Sequence, residues 1–293
     1  MISPALLTDD MARRIADRVI LSRLGKAIRE KLAEEIAEQI AEETKPWPHA
    51  EFFETLFKAL APHEKKFKAM IQAVWDDERK IIEANLKKLK KSWLKKDDAE
   101  KIAESVLYPK AQFVQRIITD STEISVVLME ERAESEIARF GLDVAFDVQN
   151  PEVQRWLESY YPKLSENLEQ LNIYELKRVL AEGIRNGESI DQLKSRVYEL
   201  YKDWGFRRAE MIARSETLRA SNRGALETYR QSGVVEKKIW ITHFDGRQCE
   251  DCEAMDGKVI GLDEAFDEND YETVETPPLH PDCRCAVGAF FEE

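Results

Sequence analysis

All four cysteines of this 293-residue chain fall near its C-terminus, as Cys249-x2-Cys252 and Cys283-x-Cys285, with His280 three residues ahead of Cys283. A CxxC pair folds both sulfurs towards one point through a tight turn, and His280-Pro281-Asp282-Cys283 offers a second bite at the same spacing. Four nitrogen and sulfur ligands of this kind describe a structural zinc site. Five candidates compete for four places. Cys249, Cys252, His280 and Cys283 are the expected set, with Cys285 outside it; a site made from all four cysteines remains open. Pro277-Pro278 and Pro281 stiffen the approach and lower the entropy lost on closure. Competing chemistries are a disulfide, a redox CxxC, and a catalytic metal. A reducing compartment is expected from the absence of an apolar leader, which disfavours disulfides. The CxxC is expected to follow a strand and a turn, without the helix start that activates redox thiols. A catalytic ion needs an open coordination position, which four ligands fill, although His243, Asp245, Asp251 and Glu253 stand nearby. His49 and His63 lie among helical residues and are expected as surface or core histidines.

The elements that must position these ligands are mainly helical. Apolar residues recur at helical spacing from Asp9 to Glu43, until Pro46 and Pro48 around Trp47 forbid continuation. Phe52, Phe53 and Phe57 open a second helix, expected to break at Pro62. A third carries Phe67, Ile71, Val74, Ile82, Leu86, Leu89 and Trp93 to about Lys96, with Asp97 and Asp98 capping the next. The helical pattern continues from Ala99 to Phe140, where Gly141 stops it. Asn150 caps and Pro151 starts a further helix after a short extended piece from Phe146. Leu171, Leu176, Val179, Leu180 and Ile184 stripe that helix, and Ser189 with Gln192 forms a capping box for its successor. After Trp204-Gly205 a helix runs from about Arg207 to Ser232, and Gly233 is a left-handed stop. From Val235 to Thr242 the period changes to a strand, with Ile239 and Ile241 on one face against Lys238, Trp240 and Thr242 on the other. Asp245-Gly246 turns the chain into the cysteine module.

The composition is 43% hydrophobic and 34% charged, with a formal charge of −13. Residues 241–293 carry 3 basic and 15 acidic side chains, a net of −12, so nearly all the imbalance sits at the C-terminus. So acidic a segment repels phosphate, which argues against a general nucleic-acid grip there. It also has few core residues of its own, so metal binding is expected to supply the folding free energy. Lys87, Lys88, Lys90, Lys91, Lys95 and Lys96 surround Trp93. They read as a solvated helix face that buries Leu86, Leu89 and Trp93, or alternatively as a phosphate-tracking stripe with a stacking aromatic. No run reaches the 18 or so apolar residues of a membrane span, and no membrane role is expected.

From Arg208 to Thr217, through Arg208-Ala209-x-x-Ile212-Ala213-Arg214-Ser215-Glu216 and on to Ala220, Asn222 and Ala225, the chain resembles the phage head morphogenesis family, also called the phage Mu F-like or minor head protein family. The resemblance continues through Trp240-x-Thr242, Asp245-Gly246-Arg247-Gln248-Cys249-x-x-Cys252, Asp256-Gly257 and Pro277-Pro278-Leu279-His280-Pro281-x-Cys283-Arg284-Cys285. It covers about Phe146 to Val287 and departs slightly at Ser215, where Thr is frequent, and at Gln248. It implies a structural protein, not an enzyme, held in a few copies inside the procapsid at the portal vertex. Toxin domains are appended in some members; none is expected in the eight residues after Cys285. Polar residues Arg214, Glu216 and Asn222 on the motif helix are expected to hydrogen-bond to the neighbouring strand or the cysteine module. A catalytic Glu216 is the rival role.

The expected fold is mainly α: long N-terminal helices over residues 1–140 for partner or portal docking, a helical core over 141–237, and a strand plus Cys/His zinc module over 238–293. The expected function is head assembly or DNA delivery as a minor capsid protein of a tailed phage. Its expected partners are the portal protein and, beyond it, scaffold or major capsid protein, with weak DNA contact through Lys87–Lys96. Trp47, Phe52, Phe53 and Phe57 are candidate anchors. The expected location is the host cytoplasm during assembly and then the virion interior. Two other classes compete: a metal-dependent hydrolase or nuclease, and a DNA-binding packaging or ejection factor.

Overall fold

A computed structural model describes residues 49–268 and 273–291. The expected first helix, Pro46, Trp47 and Pro48 lie outside the described residues. The chain divides into two compact units, Met1–Glu51 and Phe52–Glu293. The second unit carries α1 (Ala50–Lys88) from Phe52 onward, α2 (Ala99–Ser105), α3 (Lys110–Phe140), α4 (Pro151–Arg185), α5 (Ile190–Asp203) and α6 (Ala209–Ser232), followed by β1 (Lys237–Ile241), the short α7 (Glu250–Met255), β2 (Val259–Gly261), β3 (Asp267–Glu268), β4 (Thr273–Val274) and β5 (Ala286–Phe290). The protein is mainly helical with a small β-containing end, as its periodicity predicts.

Pro62 does not break α1. Its ring is exposed, and the buried face stays in phase across it through Leu56, Leu60, His63, Phe67 and Ile71. One lost hydrogen bond and a clash cost about 3 kcal/mol, less than burying several such side chains contributes at ~2 kcal/mol each. His63 is a core histidine, its Nε2 2.7 Å from a Glu131 carboxylate oxygen. The helix ends earlier than expected, at Lys88, and passes into 3₁₀ turns at Lys91–Trp93 and Lys96–Asp98. Lysines three and four apart repel one another on a helix, and none supplies an opposite charge to continue it. Trp93 is therefore not buried but 52% exposed, with Lys90 Nζ 5.4 Å from its ring centroid. Asp98 occupies the N-cap position of α2 without making the expected side-chain bond.

Caps further along agree with the sequence. Asn150 accepts from Glu152 N ahead of Pro151, Ser189 and Gln192 form a reciprocal capping box, and Gly141 and Gly233 close α3 and α6 in left-handed conformations. The expected break at Trp204-Gly205 is instead one π turn, Trp204–Arg208, that joins α5 to α6. Burial drives this. Trp204 is 3% exposed against Trp75 and Tyr201, and Arg208 lies over the Trp75 and Trp204 rings at 5.5 and 5.2 Å. An inserted residue turns Trp204 inward while the helix continues.

α6 is the centre of the unit, buried over most of its length. It packs on α3 at Gly224, where an added Cβ would stand 2.7 Å from Met129 Cα. At its far end lies a three-stranded antiparallel sheet of order β2-β1-β5, with β1 in the middle. The face of β1 buried most deeply is that of Lys238 and Trp240, while on the other face Ile241 is buried and Ile239 half-buried. Lys238 reaches this position because its Nζ donates to Leu262 O at 2.8 Å and lies 5.4 Å from the centroid of the Phe266 ring. Burial pushes its pKa down to about 8. The acidic terminus is not coreless either: Trp240, Phe266, Val274 and Val287 pack with Tyr229 and Ala225 of α6.

Candidate metal centre

β1 carries both halves of the cysteine constellation. Its loop to β2 holds Cys249 and Cys252, while β5, which begins directly after Cys285, pairs with it from Lys237↔Phe290 to Ile241↔Ala286. Contrary to expectation, the CxxC does open a helix: Cys249 is the N-cap of α7, and its Sγ accepts from Cys252 N at 3.4 Å. Thr242 at the end of β1 fixes this turn, since its Oγ1 donates to Cys252 O at 2.7 Å and its N–H donates to Asp256 Oδ1 at 2.8 Å.

The side chains converge. His280 Nε2 lies 3.1 Å from Cys249 Sγ and 3.2 Å from Cys252 Sγ, and Cys252 Sγ lies 3.7 Å from Cys283 Sγ. Two overlapping groups result: Cys249, Cys252 and His280, and Cys252, Cys283 and Cys285, each with its donor atoms within 4.8 Å of one another. Cys285 Sγ also lies 3.8 Å from Thr242 Oγ1. With metal–sulfur bonds of about 2.3 Å, two sulfurs on a tetrahedral edge stand ~3.8 Å apart, close to the Cys252–Cys283 separation. His280 Nδ1 is 2.7 Å from Pro281 O, so Nδ1 carries the proton and Nε2 presents a lone pair to the sulfurs. These Cys/His groups fit a soft divalent metal.

The four thiols differ in their electrostatics. Burial pushes the Cys249 thiol up, but the Cys252 amide, aided by His280, holds it below the ordinary thiol value. Cys283, which accepts from Cys252 and Cys285, is held far below that value by those bonds. Its two donors are raised correspondingly. For His280, burial works downward while the Pro281 carbonyl and the Cys283 and Cys249 thiols bring the net shift upward.

α6 grips this centre from behind. Asn222 Nδ2 donates to Pro277 O at 3.0 Å and Cys285 O at 3.1 Å, and its Oδ1 accepts from Val287 N at 3.0 Å. Asp282, held at φ 63, donates its N–H to Ser215 Oγ at 3.1 Å and accepts from Arg214 Nη1 at 3.2 Å. The expected links of Arg214 and Asn222 to the module are thus present. Glu216 turns the other way and accepts from Tyr160 OH at 3.0 Å.

Residues 174–288 match the family model described as Phage Mu protein F like protein. Over these residues the chain is similar to the phage Mu F-like head morphogenesis family. The Mu F-like match ends within a residue of the expected limit and starts at Tyr174, later than Phe146. Uncharacterized protein YqbB of Bacillus subtilis (strain 168) is 33% identical over 142 residues, 47% of this chain and 46% of that protein. Minor head protein GP7 of Bacillus phage SPP1 is 27% identical over 164 residues, 50% of this chain and 52% of that protein. The chain spans about half the length of these curated relatives. No solved structure matches it.

One link in the Mu F-like region was not expected from the sequence. Asp245 accepts from Arg247 Nη2 at 2.7 Å and Nε at 3.0 Å and from Arg284 Nη2 at 2.9 Å, tying the first cysteine loop to the second. Arg284 stands between Cys283 and Cys285, and that placement of a cation between two cysteines is the signal available in the sequence. The expected anchors Phe53 and Phe57 are spent within the chain instead, against His243 at 4.7 and 4.9 Å. Phe52 lies under Arg139 at 4.5 Å. No helix of the described residues is long and apolar enough to cross a membrane.

Proposed function

We propose that this chain is a minor capsid protein of a tailed phage, acting at the portal vertex in procapsid assembly or DNA delivery, whose C-terminal module is clasped by one structural zinc ion. The Mu F-like match, with a relative named as a minor head protein, carries the assembly reading. The convergence of Cys249, Cys252 and His280, and of Cys252, Cys283 and Cys285, supports the clasp, with four of these five as its ligands. The bound ion would hold the two cysteine loops together; the chain's own residues dock the result on α6 through Asn222. Portal and scaffold contacts, a location inside the virion, and a non-enzymatic role belong to the same reading.

The test is association. The tagged full-length chain, co-expressed with the portal protein of its own genome, is expected to co-purify with it and to enter procapsids. A chain that stays free while heads assemble and package normally without it would overturn the role.

A second reading, DNA contact near Trp93, is favoured by one observation. Lys87, Lys88, Lys90, Lys95 and Lys96 lie within six positions of that half-exposed ring, Lys90 over it, and make no ion pair among the described residues, where most other cations are paired. Neutralising Lys87, Lys90 and Lys95 should reduce duplex affinity and flatten its salt dependence by about one unit of slope for each phosphate no longer neutralised; unchanged slopes would contradict it.

A further inference from the structure

We propose that a cleft between α1, α6 and the two cysteine loops is an anchor site for an acidic residue flanked by apolar side chains, presented by a peptide segment of a partner protein. The cleft has a volume of about 230 Å³. One wall is apolar, formed by Phe57, Leu60 and Leu218; the other carries three guanidinium groups, Arg214, Arg247 and Arg284. Glu64 is the acid in the lining. Burial raises its pKa, which weakens its opposition to an incoming anion.

The arginines are preorganised and incompletely used. Asp245 lies behind Arg247 and Arg284 and holds both planes, taking Nε and Nη2 of the first and both terminal nitrogens of the second. A guanidinium has five N–H donors, so Arg247 Nη1 and Arg284 Nε are left over from that pairing. Arg214 is shared between Asp282 at 3.2 Å and Glu210 at 3.3 Å, two long and exposed bonds that exchange readily. A planar carboxylate is the group that such donors recognise best.

Size and field select the occupant. The cleft is smaller than the roughly 300–1,000 Å³ of small-molecule sites, a size that suits one side chain. Residues 241–293, which supply one rim, carry a net charge of −12, so a polyanion is repelled while a single buried carboxylate is paired. An apolar wall beside a cationic one fits Glu or Asp next to Leu or Phe. The partner-protein source rests on the assembly reading; the cleft's chemistry does not.

The experiment titrates full-length protein with acetyl-Phe-Glu-Leu-amide and with its Gln counterpart, following leucine methyl resonances by NMR. The Glu peptide is expected to shift Leu60 and Leu218 and to bind about tenfold more tightly than the Gln peptide, as one charge-assisted pair predicts. Arg247→Gln and Arg214→Gln should each erase that preference while leaving the remaining methyl spectrum and the Gln peptide's affinity unchanged. Equal binding of the two peptides, shifts elsewhere, no shift at about 10 mM peptide, or full displacement by equimolar inorganic phosphate would each overturn the site. Absent peptide binding with procapsid association intact refutes the cleft alone; failed association with peptide binding intact refutes the assembly role alone.

Discussion

Asn222 sits fully buried on α6 and satisfies three backbone groups of the segment around Cys285. Replacing it by Ala leaves two carbonyls and one amide unpaired in a dry site, a loss of about 3 kcal/mol or more. Urea unfolding of Asn222→Ala should show this, with the cysteine module becoming protease-sensitive. Gly224→Ala tests a different residue-level demand. Its new methyl would meet the Met129 backbone at 2.7 Å, which cannot step aside as a side chain could. A drop of about 1–3 kcal/mol is expected, read from the same unfolding curves. The polar character of Asn222 was legible as a link between helix and module, because a polar side chain in so apolar a stretch needs a partner. Its specific acceptors were not, since they lie 55 and more positions away.

Among the elements, the caps were readable because each is decided within four residues, as at Ser189 and Gln192. Ser189→Ala should cost about 1 kcal/mol in thermal unfolding. The uninterrupted course of α1 through Pro62 and the π turn at Trp204 were not readable, because both are decided by distant burial. Where α1 meets α4, Glu78 and Glu169 are buried together. Tyr201 OH donates to Glu78 at 3.0 Å and Tyr108 OH to Glu169 at 2.7 Å, while the other oxygen of each carboxylate has no donor among the described residues, so the pair shares a proton. Burial first, and Glu169 next, pushes Glu78 up to about 10. A folded pKa above the unfolded one means that the native state keeps a proton which the unfolded chain releases. Stability therefore falls as pH rises from about 4.5 towards 10, by at most ~1.4 kcal/mol per unit. Arg208, facing the same cluster, offsets part of this. Glu78→Gln should flatten the slope between pH 5 and pH 8 in urea titrations; an unchanged slope would refute the shared proton.

Across the whole molecule, the metal-ligand spacing and family pattern were legible because they are short and contiguous, and the five candidate ligands are brought together as two overlapping groups. The core beneath them was hidden, since Trp240, Phe266, Val274 and Val287 are separated by polar loops and meet only when β1, β5 and α6 assemble. That core, which includes Cys252, Cys283 and Cys285, shares the work of holding the acidic terminus. A structural ion supplies roughly 10 kcal/mol or more. The full-length chain, purified and subjected to elemental analysis and zinc X-ray absorption, is expected to hold one zinc with three sulfurs at about 2.3 Å and one nitrogen at about 2.0 Å. Chelation should then abolish hydrogen-exchange protection around Cys249 and Cys283. A metal-free chain whose cysteine loops are equally protected with and without chelator would contradict the account.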